Sequence, residues 1–296
     1  MSETIAAVVF DLDGVLLDSE SDWDAAWRDV VAHNGGRWQA DATRAMMGMW
    51  SPGWSSYLHD QLGVPLEPKQ INDLVVAALL DQYRRHLPLL PGAIAAVRRL
   101  ADRWPLGLAS SANRPVIDAV LERAGITDCF AVTVSDEEVA AGKPAPDVYL
   151  AATRRLGVDP ADAAAVEDST NGLLAAAAAR MVVIARPNRE YPPEPDALAL
   201  AALVVESLDE LTPDAIDSAA QRASKPWAGN SLDKAREIFD AEVKRRPRIP
   251  LSARASRCCS ASPDLQARGD EPPRGFFAQQ QVIDGSPASR GQRLRP

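Results

Sequence analysis

The chain has 296 residues, 46% of them hydrophobic and 25% charged, with a net charge of −9. The charge is uneven: residues 1–221 carry 17 Lys+Arg against 33 Asp+Glu, and residues 222–296 carry 15 against 8. So acidic a body excludes unaided binding to nucleic acid or to an anionic membrane, and an anionic substrate would need a local cation to offset the field.

The length allows one large domain or two smaller ones. Cys129, Cys258 and Cys259 form neither a disulfide framework nor a metal-ligand spacing. The apolar runs "IAAVVF" and "LLAAAAAR" are too short for a signal-peptide core or a membrane span, and the expected location is the cytoplasm.

In chain order, "IAAVVF" (5–10) is a continuous β-branched run, the pattern of a strand buried on both faces of a parallel sheet. Residues 18–87 hold no strand pattern; 20–35 and 67–87 read as amphipathic helices, so this region is a helical insertion. It holds five of the seven Trp residues. They fill the insert's small core, or some of them, Trp50 and Trp54 above all, face a ligand cleft. "PLLPG" (88–92) then returns the chain to an alternating pattern. Strand runs at 105–110, 129–135, 163–168 and 181–186 interleave with helical spacing at 92–104, 115–125, 146–157 and 171–180. This alternation implies right-handed βαβ units and an α/β fold with a doubly wound parallel sheet. The core is assigned to 1–17 and 88–221 and the cap to 18–87. Residues 222–296 form a basic tail rich in Arg, Pro and Ser, expected to be mostly disordered, with one helix at 230–246.

In doubly wound sheets ligands bind at the carboxyl ends of the strands, so the last residue of each strand carries the information. "VVFDLDGVLLDSE" places Asp11 at the end of the first strand, and Asp13 two positions on points the same way. Two neighbouring carboxylates can split their pKa values into a base or nucleophile and an acid, or a divalent cation can bridge them. Gly14 allows a sharp turn. A calcium loop would need a Glu at its twelfth position, which this stretch lacks. "PLGLASSANR" ends in Ser110 and Ser111 before a helix, where hydroxyls and free N–H groups make an anion site. Lys143 in "GKPAPDVY" could hold a phosphoryl oxygen. Glu167 and Asp168 in "AAAVEDSTNG" offer the hard oxygen ligands that suit Mg²⁺. Taken together, these are the parts of a phosphoryl-transfer site with its charges balanced by Mg²⁺ and Lys143.

The stretches "VVFDLDGVLLDSE", "LGLASSANR", "AGKPAPDVYLAATRRLGV" and "AVEDSTNGLLAAAAARM", in this order, resemble the haloacid dehalogenase-like hydrolase superfamily, in its helical-cap branch of phosphatases and β-phosphoglucomutase-like enzymes. The resemblance covers residues 5–210. It implies an enzyme in which Asp11 attacks phosphorus and Asp13 serves as acid and then base. Ser110 and Ser111 hold the phosphoryl group, and Lys143 neutralises it. Asp11, Asp13 (through its carbonyl), Glu167 and Asp168 surround Mg²⁺. The implied activity is hydrolysis of a small phosphorylated metabolite, and Arg114 could touch a second anionic group.

A sugar-phosphate mutase is the alternative. Against it, Trp23 stands where those mutases carry a His, and the cap loop "MMGMWSPGW" holds no cation. A third reading, an interaction protein acting through its basic tail, would be favoured by loss of Asp11 or Asp13, and both are present. The sequence does not fix the oligomeric state.

Overall fold

The computed structural model of the protein describes residues 5–223. The helix expected at 230–246 and nearly all of the basic tail lie outside this range.

Six parallel strands form one sheet: β1 (Ala7–Phe10), β2 (Leu106–Ser110), β3 (Phe130–Ser135), β4 (Ala163–Glu167), β5 (Val182–Ala185) and β6 (Leu203–Val204). Their order is β3-β2-β1-β4-β5-β6. The side chains of β1 alternate between two cores. Val8 and Phe10 join one apolar cluster, and Ala7 and Val9 join the other. A strand covered on both faces must be apolar throughout, which is why "AVVF" shows no polar alternation. Helices α5 (Ala93–Ala101), α6 (Arg114–Ala124) and α10 (Pro213–Ala223) bury their apolar stripes in the first cluster. Helices α7 (Asp147–Leu156) and α8 (Thr170–Ala178) bury theirs in the second, beside the short α9 (Pro195–Leu198).

Between β1 and α5 the chain forms four helices: α1 (Glu20–His33), α2 (Ala42–Met46), α3 (Ser51–Asp60) and α4 (Pro68–Arg85). The start of α4 carries a reciprocal capping box between Glu67 and Gln70. Trp23 and Trp27 of α1 and Trp54 of α3 stack with ring centroids 5.7, 6.0 and 6.1 Å apart. Aromatic groups at this spacing contribute more than their buried area alone. No helix among the described residues is long and apolar enough to cross a membrane.

The five anticipated strands lie within a residue or two of their sequence positions. The sequence reading missed β6, which is only two residues long, and α2, α3, α9 and α10.

Candidate active site

The sheet order reverses at β1: the chain runs outward to β2 and β3, then crosses back to β4 on β1's other side. That switch point opens a crevice at the strands' carboxyl ends. Asp11 follows β1 and extends its ladder by one bond, donating its N–H to the Val166 carbonyl at 3.0 Å. Asp168 follows β4, the neighbouring strand. Gly14 adopts φ 75°, and a Cβ there would stand 1.9 Å from Asp168 Oδ2. The residue after the aspartate pair must therefore be glycine, for its backbone angle and for the closeness of Asp168.

Lys143 is the hub of the site. Its ammonium donates to Asp11 Oδ1 at 2.6 Å, Glu167 Oε1 at 2.6 Å and the Ala109 carbonyl at 3.0 Å. Burial works against the ammonium, but Asp11 and Glu167 outweigh it and hold Lys143 well above the ordinary lysine value. Glu167 is fully buried and its oxygens are taken: the Tyr149 hydroxyl donates to Oε1 at 2.6 Å and the Asp168 N–H to Oε2 at 3.1 Å. Asp13 Oδ1 accepts from Ser19 Oγ at 2.6 Å and from Trp23 Nε1 at 3.1 Å. Burial pushes the Asp13 carboxyl up, and these two donors only partly oppose it.

The loop after β2 is fixed by its own hydrogen bonds. Ser110 is buried, and its Oγ accepts the Ala112 N–H at 3.0 Å. Ser111 borders the cavity and donates its Oγ to Asp136 at 2.7 Å. The same Asp136 oxygen accepts the Lys143 N–H at 3.2 Å, so one carboxylate holds the serine loop and the lysine loop together.

Asp11, Asp13, Ser111, Lys143 and Asp168 open onto a cavity of about 500 Å³ whose other wall comes from α1 to α3. Trp54 lines it, together with Trp23 and Trp27. Two expectations are corrected here. Trp50 is not on the wall; it packs against Gly142, where an added Cβ would lie 2.8 Å from the Trp50 Cβ. Arg114 is not there either. As the first residue of α6 it turns toward β3, donating to Thr133 Oγ1 at 2.7 Å and pairing with Glu138. Sequence reasoning missed Tyr149, Asp136 and Arg44. Arg44 of α2 is a cation that lines the cavity, just upstream of the loop "MMGMWSPGW" that holds none.

Asp11, Glu167 and Asp168 bring one carboxylate oxygen each within 4.8 Å of one another. Burial, then Glu167 and Asp11, push the Asp168 carboxyl well above its usual range. Burial likewise pushes Asp11 up, with Lys143 opposing. A cluster of acids against one ammonium leaves uncompensated buried charge, the condition a divalent cation relieves. The donor set, all hard oxygen, suits such an ion.

Comparison with known proteins agrees with this architecture. Residues 5–180 match the haloacid dehalogenase-like hydrolase family. Hexitol phosphatase B of Escherichia coli is 34% identical over 225 residues, covering 70% of this chain and 95% of that protein. Fructose-1-phosphate phosphatase YqaB of E. coli is 31% identical over 187 residues, covering 61% of this chain and 96% of that protein. Among solved structures, CbbY from Rhodobacter sphaeroides in complex with phosphate superposes with a TM-score of 0.63 at 29% identity, covering 70% of this chain and 96% of that one. The chain belongs to the haloacid dehalogenase-like hydrolases, among the phosphatases of that family.

Proposed function

We propose that the protein hydrolyses the phosphate monoester of a small sugar or sugar alcohol through a phosphorylated Asp11. The observation that carries this reading is the Lys143 hub: the ammonium is pinned between Asp11 and Glu167, taking Asp11 Oδ1 and leaving Oδ2 outside that pair, on a residue that lines the cavity. In the first step Asp11 Oδ2 attacks phosphorus, the bond from phosphorus to the leaving alcohol breaks, and Asp13 gives its proton to the departing oxygen. The burial that raises the Asp13 pKa supports its starting protonated. In the second step Asp13 takes a proton from water, the water oxygen attacks phosphorus, and Asp11 is released. Lys143 and the Ser111 loop offset the charge of the transferring group. Asp11 and Asp168 would hold Mg²⁺, with the Asp13 carbonyl, while Glu167, its oxygens already engaged, orients Lys143 behind them. The ion would supply charge neutralisation at the phosphoryl oxygens.

The names of the two E. coli relatives support a phosphorylated sugar or sugar alcohol as substrate, and the Trp walls suit the C–H faces of such a group. A mutase would need a firm grip on a second phosphate. Among the described residues Arg44 is the one cap cation at the cavity, and it is exposed. A solvent-screened cation contributes little, so hydrolysis is the better reading. The intact Asp11–Lys143–Asp168 arrangement likewise favours an enzyme over an interaction protein acting through its tail.

The test is a panel of phosphorylated sugars and sugar alcohols assayed with Mg²⁺, with Asp11→Asn as the blank. Phosphate release by the wild type alone supports the proposal. Equal release by Asp11→Asn, or conversion of β-glucose 1-phosphate to glucose 6-phosphate faster than phosphate is released, overturns it.

A further inference from the structure

One short cap segment, Gly48–Ser51, touches the three core loops that carry the proposed chemistry. The Gly48 carbonyl accepts from Asn171 Nδ2 at 3.1 Å, three residues beyond Asp168. Trp50 packs on Gly142, the residue before Lys143. Ser51 Oγ donates to Asn113 Oδ1 at 3.0 Å, two residues beyond Ser111.

The Asn113 contact is built in an unusual way. Asn113 stands at the N-cap of α6, where an Asn side chain ordinarily accepts an N–H of its own helix. It makes no such bond. Glu137 Oε2 takes the Arg114 N–H instead, at 2.9 Å. The Asn113 amide is thereby released to the cap: Oδ1 takes Ser51, while Nδ2 reaches Asn72 Oδ1 of α4 at 3.1 Å and Glu137 Oε1 at 2.7 Å. Asn113 is 1% exposed and Ser51 5%, so this junction is dry, and a hydrogen bond is stronger in such a medium. Neither Trp50 nor Ser51 lines the cavity.

We infer that Ser51 and Trp50 are positioning residues that seat the cap on the Ser111, Lys143 and Asp168 loops, with Asn113 as the core's half of the seat. The inference rests on the phosphatase reading of those loops. Because Ser51 does not line the cavity, its loss acts on the reaction only through the seat. Asn113→Ala removes the other half of the same bond, so the two losses should not add.

The experiment compares Ser51→Ala, Asn113→Ala and the double variant in the full chain. Three quantities are read: kcat/KM on the best substrate of the panel, Tm, and acrylamide quenching of tryptophan fluorescence. The quenching sums over all seven Trp residues, and a rise over the wild type registers exposure of the buried ones, Trp23, Trp27 and Trp54 of the cavity wall among them. We expect each single variant to lose roughly 5- to 20-fold in kcat/KM, the scale of one buried hydrogen bond. Quenching should rise in each, and the double variant should be no worse than the worse single one. Ser51→Ala with wild-type kcat/KM and quenching overturns the inference, as do strictly additive losses. A fall in Tm with kcat/KM unchanged overturns it too, because that marks a purely structural role. If the wild type turns over no phosphate ester, the phosphatase reading fails. The quenching of Ser51→Ala then decides on the seat alone.

Discussion

Gly172→Ala should disable the site without replacing a charged residue. Gly172 lies in the first turn of α8, and an added Cβ would stand 1.9 Å from the Glu167 carboxyl carbon and 1.9 and 2.0 Å from its two oxygens. Glu167 has no room to yield, being fully buried and held by Lys143, Tyr149 and the Asp168 N–H. Displacing it breaks a buried ion pair, at a cost of about 3–5 kcal/mol. The gain from replacing glycine in a helix returns about 0.5–1 kcal/mol. The net loss is about 2–4.5 kcal/mol, or roughly 4–18 °C in Tm for a body of this size. Urea denaturation followed by circular dichroism measures it. The mechanism is specific to Glu167, so in a Glu167→Ala background Gly172→Ala should be neutral or stabilising by about 0.5–1 kcal/mol. Equal destabilisation in both backgrounds refutes the steric argument.

Tyr149→Phe removes the hydroxyl that donates to Glu167 Oε1 and keeps the ring; it should lower stability by about 1.5–3 kcal/mol, read by the same denaturation. Mg²⁺ should raise Tm in the wild type, by the equivalent of about 2.7 kcal/mol when present at a hundred times its Kd, and should not do so in Asp168→Asn; calorimetric scans with Mg²⁺ or EDTA check this. Burial works against the Glu138 carboxylate, but hydrogen bonds from Arg114, the Ser135 N–H and Arg155 outweigh it and bring its pKa from 4.5 to about 2. A carboxylate with a depressed pKa stabilises the fold above its unfolded value and loses that contribution as pH falls through the folded one. Glu138→Gln should therefore be destabilised at pH 7, and its difference from the wild type should shrink from pH 4.5 downward; a difference that stays constant across that window excludes the pairing as its cause.

Much of this site was legible from one rule, that chemistry gathers at strand ends. The rule found Asp11, Ser111 and Asp168 because each follows an apolar run with no polar alternation. Applied to β3 it would also have found Asp136, the first residue after Ser135. Tyr149 was hidden for a different reason. On the buried face of α7 an aromatic residue reads as core, and its partner Glu167 is supplied by another element. Arg114 was misjudged because nearness in sequence to the serines says nothing of direction; the first turn of α6 aims its side chain at β3 and Glu138. Between α2 and α3, "MMGMWSPGW" carries Gly48 and Pro52, which interrupt the periodicity on which helix recognition depends. Pro52 nevertheless marks the first turn of α3, a start signal that could have been used. Trp54 served both readings at once, packed against Trp23 and Trp27 and lining the cavity.

The central claim is that phosphate passes through Asp11. The stereochemical course at phosphorus tests it most directly. Each in-line displacement inverts the configuration, so two in succession, the first by Asp11 and the second by water, give net retention. A substrate ester carrying a chiral, oxygen-isotope-labelled phosphoryl group is turned over in water of the complementary isotope, and the configuration of the released phosphate is read by ³¹P NMR. Transfer through Asp11 requires retention. Net inversion means that water attacks the ester directly and contradicts a covalent role for Asp11.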